Sequence, residues 1–303
     1  MKEDVQYGGQ AVIEGVMMRG KEKYAIAVRK PDDDIVVEER DLKSSDDKLF
    51  FLKWPLVRGV VALFSSLIIG MKALSFSADV ALEEEDEEIT PLEMAGTIII
   101  SFILAILFFV AMPAGIIRLI QGFIEYNVVL NIIEGLIKIS AFLGYVFFIS
   151  RLEDIQEVFR YHGAEHMVIF NYESGEPLSV DNAREFTTIH PRCGTSFIFI
   201  VIIISIFFFS FFSPLLFSQG RPPFLQRTLY HVIFLPFVAG TSYEILKMAA
   251  KDKVNPLVRL LSIPGMCIQK LTTGEPDDSK LEVAIKALEA VLPSEEKGED
   301  KDV

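Results

Sequence analysis

Long apolar stretches alternate along this chain with segments in which apolar and polar residues mix at short period. Gly96 to Ile117 carries no charge. At about 1.5 Å per helical residue it is long enough to cross the roughly 30 Å hydrocarbon core of a bilayer. Val128 to Ile149 is a second such stretch, Thr195 to Phe217 a third and Thr228 to Ala249 a fourth. Leu56 to Phe76 is also apolar, but Arg58 and Lys72 leave only about a dozen clean residues between them, which fits a re-entrant or interfacial helix better than a span. The pattern therefore predicts an α-helical integral membrane protein with about four transmembrane helices.

The first 55 residues follow a different rhythm. Tyr24 to Val28 and Ile35 to Val37 are short β-prone runs, and Pro31-Asp32-Asp33-Asp34 between them is turn chemistry, so the pair reads as a hairpin. Gly8 to Gly20 precedes it, an apolar run bracketed by glycines that carries Glu14 and Arg19. It reads as a strand with tight turns at each end, or as backbone brought close to a ligand. After the last span, Asn255 to Ser262 reads as an amphipathic helix at the membrane interface, broken by Pro264-Gly265. Ser279 to Leu292 is a second amphipathic helix, with Leu281, Ile285 and Leu288 on one face and Ser279 available as a cap.

These elements divide the chain into a β-rich unit (1–55), the re-entrant helix with an acidic loop (56–95), two spans (96–149), a polar segment (150–194), two more spans (195–250), amphipathic helices (251–293) and an acidic tail read as disordered (294–303). Lys and Arg concentrate in the N-terminal unit, in Ser150 to Gly194 and after Lys247. With four spans these regions share one side, and the excess of cations makes it cytoplasmic: a multi-pass protein of the cell membrane with both termini in the cytoplasm. The opening Met1-Lys2-Glu3-Asp4 lacks the basic-then-apolar order of a signal peptide.

Composition agrees with this picture. Of 303 residues, 51% are hydrophobic and the mean hydropathy is +0.38, too apolar for an ordinary soluble domain. A net charge of −13 argues against nucleic acid and leaves the lipid bilayer, or another membrane protein, as partner. Two cysteines build no disulfide framework and fit a reducing compartment.

The chemistry gathers in the polar segment. Two of the four histidines, His162 and His166, lie four residues apart, one turn along a helix, and continue the apolar stripe of Ile155, Phe159 and Ile169. Glu165 adjoins them. Two inward imidazoles either hydrogen-bond to neighbouring backbone and carboxylates or bind a divalent metal such as zinc. The order His-x-x-Glu-His is that of inverted zincins, with Glu as base. Gly163 inside this helix leans toward function, since a mid-helix glycine suggests close approach of something. His190 and Cys193 sit three apart on a turn, and Glu244 falls near the cytoplasmic end of the fourth span, so a third ligand would come from His190, Cys193 or Glu244. His190–Cys193 also reads as a plain turn entering a helix, and Glu244 as a partner of Lys247. His231 lies thirteen residues before Glu244, about 20 Å along a helix, and belongs elsewhere. Glu134 and Lys138 form an i,i+4 pair inside the second span, either functional or mutually neutralising.

Several of these stretches together resemble the domain-of-unknown-function 1385 family, the YqhQ-like bacterial membrane proteins. The matching segments are Gly8 to Gly20, Tyr161-His162-Gly163-Ala164-Glu165-His166, His190 to Ser196, Ala239 to Glu244 and Leu271 to Asp278. The resemblance implies a membrane protein with a suspected metal site and no established reaction. It draws Glu275, Asp277 and Asp278 into view as a carboxylate cluster, which equally flanks the N-terminus of the last helix. Two functions compete: a metal-dependent hydrolase acting at the membrane surface on a peptide or lipid-linked substrate, and a non-catalytic assembly factor or adaptor with a structural metal or none. Ion transport is a weaker third.

Overall fold

The computed structural model describes residues 7–42, 54, 56–81, 90–216, 223–249 and 256–293. The acidic run at 83–88 and the acidic tail lie outside them. The N-terminal unit is a four-stranded antiparallel meander: β1 (Gly8–Val12), β2 (Gly15–Arg19), β3 (Lys23–Arg29) and β4 (Ile35–Asp41). The predicted hairpin is β3–β4. The glycine-bracketed run, however, is two strands and not one. Val12 pairs with Gly15, so the chain reverses over Ile13 and Glu14, and Glu14 takes a left-handed φ of 48°. Gly15 follows because a Cβ there would meet the Ala27 carbonyl at 2.2 Å.

Ten helices follow among the described residues: α1 (Val57–Ala81), α2 (Pro91–Ile106), α3 (Met112–Ile120), α4 (Asn127–Ile149), α5 (Glu153–Ser174), α6 (Val180–Ala183), α7 (Gly194–Leu216), α8 (Phe224–Ala249), α9 (Pro256–Thr272) and α10 (Asp278–Val291). A π-helical turn, Leu107–Ala111, joins α2 to α3 just before Pro113, which has no N–H to continue the ladder. Five helices are long and apolar enough to cross a membrane: Val57–Ala81, Ala95–Ile120, Val128–Ile149, Gly194–Phe212 and Phe224–Met248. The count exceeds the four expected because α1 continues through Lys72, an exposed residue, without interruption.

The sheet has helices on both faces, which is why β3 reads as an unbroken apolar run. Val16, Met18, Ala25 and Ala27 share one core with α5 and α10. Met17, Tyr24, Ile26 and Val28 share a second with Ile69 and Ala73 of α1. The other half of α1 lies on α8, where Gly59 and Gly240 bring the two backbones together. Two details of the C-terminal region depart from the sequence pattern. Helix α9 does not break at Pro264-Gly265: it runs through, and Gly265 lets it press on α7, since a Cβ there would meet the Ser196 Cα at 2.5 Å. The cap of α10 is Asp277, which accepts from the Lys280 backbone N–H, and not Ser279, which lies inside the helix.

Candidate metal centre

Helix α5 carries His162 and His166 on the face that meets β1 and the 188–193 and 272–274 segments. A carbonyl fixes each ring from behind. His162 Nδ1 is 2.8 Å from the Thr272 carbonyl oxygen, and His166 Nδ1 is hydrogen-bonded to that of Thr188. A carbonyl only accepts, so both Nδ1 atoms carry the proton, and in the neutral rings both Nε2 atoms present a bare lone pair. Cys193 closes the group. Its Sγ lies 3.2 Å from His162 Nε2, and the donor atoms of His162, His166 and Cys193 all lie within 4.8 Å of one another. These three side chains could hold a metal ion.

The surroundings suit that use. Cys193 immediately precedes Gly194, the first residue of α7. The Thr195 hydroxyl is 3.2 Å from Sγ. Gln269, fully buried on α9, accepts from the His190 N–H at 2.7 Å and donates to its carbonyl at 2.8 Å, so α9 fixes the turn that delivers Cys193. Gly163 admits the 272–274 segment, because a Cβ there would stand 2.0 Å from the Gly274 carbonyl oxygen. The expected close approach is thus by backbone, and it brings in the carbonyl that orients His162.

Glu165 is buried, with Oε2 3.5 Å from His166 Nε2. A side chain at Gly9 would meet it at 2.9 Å, so the glycine lets β1 pass over the carboxylate. Burial alone would lower the pKa of His166, but Glu165 and Cys193 outweigh it and the net direction is upward. His190 is beside the group: its ring centroid is 5.4 Å from that of His166. Burial first, then the Arg192 guanidinium and the two neighbouring imidazoles, push it down to about 3. A cavity of about 490 Å³ opens in front of these residues, lined by Glu165 and His190 as well as by the three candidate ligands.

The remaining candidates are dispersed. Glu244 is held by Arg58, whose Nε donates to it at 2.7 Å, and neither Lys247 nor the histidine cluster takes it. Glu14 accepts from the Tyr161 hydroxyl at 3.3 Å. Arg19 reaches the cavity wall and donates to Ser66 Oγ at 3.3 Å. Glu275 is exposed, Asp277 caps α10 and Asp278 pairs with Arg184. His231 sits far from the cluster, its Nδ1 3.0 Å from Glu134. Sequence reasoning missed the two orienting carbonyls and Gln269. Backbone acceptors carry no side-chain signal, and a Gln in an amphipathic helix reads as a solvated position.

Two comparisons bear on this arrangement. The family described as a protein of unknown function (DUF1385) matches residues 54–294. The uncharacterized protein YqhQ of Bacillus subtilis (strain 168) is 34% identical over 299 residues, covering 94% of this chain and 92% of its own length. No solved structure matches the chain.

Proposed function

This chain belongs to the DUF1385 family, and for it we propose a metal-dependent hydrolase working at the cytoplasmic surface of the cell membrane on a peptide or lipid-linked substrate. His162, His166 and Cys193 are the ligands and Glu165 is the group that takes and returns a proton. One observation carries the reading: two Nε2 lone pairs, each directed by a backbone carbonyl on the opposite nitrogen, meet a thiol at the wall of a cavity. An orienting hydrogen bond on the far ring nitrogen is how metal-binding imidazoles are held. Two imidazoles and a thiolate suit a borderline-soft dication, zinc by preference. Bound there, the ion supplies Lewis acidity. The chain supplies three donors, a carboxylate beside them, and space in front for a substrate.

Connectivity supports the location. The sheet, α5 and α10 share one core and so lie on one side of the membrane. An even number of crossings therefore separates the sheet from α5. The α2–α3 helix and α4 are two. Helix α1, committed to the sheet through Ile69 and Ala73, stays on the sheet's side as an interfacial helix. Its outward Val61, Phe64, Leu67 and Ile68 are then apolar surface for lipid. Helices α7 and α8 bring the crossings to four. The Lys and Arg gathered in the sheet, the α5 segment and the C-terminal helices make that side cytoplasmic.

Elemental analysis of the detergent-purified full chain tests the centre. About one metal ion per chain is expected, lost in both His162→Ala and Cys193→Ser. Glu165→Gln should keep the metal and lose hydrolysis. A parent without metal, or variants that retain it, overturns the reading. A metal-loaded chain indifferent to Glu165→Gln in every hydrolysis assay favours the adaptor.

A further inference from the structure

We propose that the cavity beside the histidine cluster binds an anionic, phosphate-bearing group presented by a membrane lipid. The proposal rests on the metal-centre reading for its chemistry, but its binding argument is independent. The cavity wall carries three cationic side chains, Arg19, Arg192 and Lys247, and a single carboxylate, Glu165. Arg192 is already paired with Glu173. Arg19 and Lys247 have no ion pair among the described residues. The nearest carboxylate to Lys247 along α8, Glu244, is taken by Arg58. Gly194, which opens α7, also lines the cavity and places a helix N-terminus there. The wall thus carries more cationic than anionic side chains, and a dication in the cluster would increase the positive field. A neutral peptide bond answers none of this charge; a phosphate answers it with several acceptor oxygens.

Position selects the source. One wall is the sheet and α5, and the other is Ser66 and Ile69 of α1 with Tyr243, Leu246 and Lys247 of α8. Lys247 lies at the last turn of a candidate span ending at Met248. Exposed apolar side chains continue from that wall along α1, at Phe64, Leu67 and Ile68. A headgroup can enter the cavity while its acyl chains stay on this apolar face.

The test uses the detergent-purified full chain and reads ligand affinity from thermal stabilisation. The probes are dioctanoyl phosphatidylglycerol, dioctanoyl phosphatidic acid, dioctanoyl phosphatidylcholine and glycerol phosphate. The two anionic lipids should stabilise the chain and phosphatidylcholine much less. Arg19→Gln and Lys247→Gln should each weaken the anionic lipids about tenfold, with Arg19→Lys restoring part of the loss and metal content unchanged throughout. Equal response to all three lipids, or variants that bind like the parent, overturns the proposal. Glycerol phosphate matching the lipids overturns the lipid source and leaves a soluble phosphate as ligand. Metal content is read on the same samples, so a chain that holds metal but ignores anionic lipids sinks this inference alone, and a metal-free chain that still binds them sinks only the hydrolase.

Discussion

Two buried clusters of this chain use the same kinds of residue and arrive at opposite states. Between the apolar helices α4 and α8, Glu134 is hemmed in by Lys138 at 2.8 Å, by Arg227 and by His231 at 3.0 Å, and Arg227 also donates to Asn131. The space at its centre is about 10 Å³, close to the room one water needs. In the α5 cluster, His166 and Glu165 are about as deeply placed and His162 is half-buried, but the rings are held from behind and their Nε2 atoms face a cavity of about 490 Å³. Burial of ionisable groups is common to both. What differs is what the groups face: in the first cluster one another, in the second whatever enters the cavity. A buried carboxylate surrounded by cations is a clamp between α4 and α8, and orientation, more than burial, marks the functional candidate.

The largest expected effect strikes the clamp. Glu134→Gln leaves Lys138 and Arg227 buried without a counter-charge, and breaking such a set by removing one partner costs about 3–5 kcal/mol. Chemical or thermal unfolding in detergent should show a loss of that order, with metal content per folded chain unchanged. His162→Ala should do the reverse: it empties the centre while the metal-free chain unfolds nearly as the parent does, because the ring borders a cavity. If Glu134→Gln is neutral to stability, or if it removes metal, the two clusters are not separate and the contrast fails.

A second substitution acts on the scaffold behind the open cluster. Gly163→Ala places a Cβ against the Gly274 carbonyl, and backbone must yield. Overpacking of this kind costs about 1–3 kcal/mol. The shift pulls Thr272 from His162, and loss of such an orienting bond weakens metal binding by roughly 10–100-fold. Gly144→Ala, where nothing lies within 4 Å of the added Cβ, is the control and should change neither property.

The sequence made part of this contrast legible and hid the rest for identifiable reasons. The spacing of His162 and His166 predicted one helical face, and Cys193 three residues after His190 predicted a turn before a span; both are local patterns, and α5 and α7 carry them as read. The separation of His231 from that group also followed from its distance along α8. The partners of the clusters were not legible, because they come from far along the chain: Arg227 reaches Glu134 across 93 residues, and Arg58 reaches Glu244 across 186. A local reading gives Glu134 only Lys138 and gives Glu244 only Lys247. The same limit explains α1. Its hydropathy records that both sides are apolar, but not that one side meets a sheet. The tight turn at Ile13-Glu14 was masked by the glycines around it, which suggested ends and not a middle.

Asp277 is the mildest test, since it is a carboxylate that sequence resemblance drew toward the site and that the fold employs as a cap. It accepts from the Lys280 N–H and pairs with Lys280 Nζ at 3.0 Å. Burial works against its charged form, but hydrogen bonds from Ser279 and Lys280 outweigh that and bring the carboxyl down to about 2, against an ordinary 3.8. A depressed carboxyl stabilises the fold above its ordinary value and loses that contribution as pH falls toward about 2. The side chain is 60% exposed, so solvent screening keeps the charge contribution small and the cap dominates. Asp277→Ala should cost about 1 kcal/mol at neutral pH. Asp277→Ser, which keeps a capping oxygen without the charge, should recover most of it and show a flatter stability profile between pH 4 and about 2. Both variants should hold as much metal as the parent. Loss of metal in the serine variant would move Asp277 from the scaffold into the open cluster, and the division between groups that hold the fold and groups that face the cavity would have to be redrawn around it.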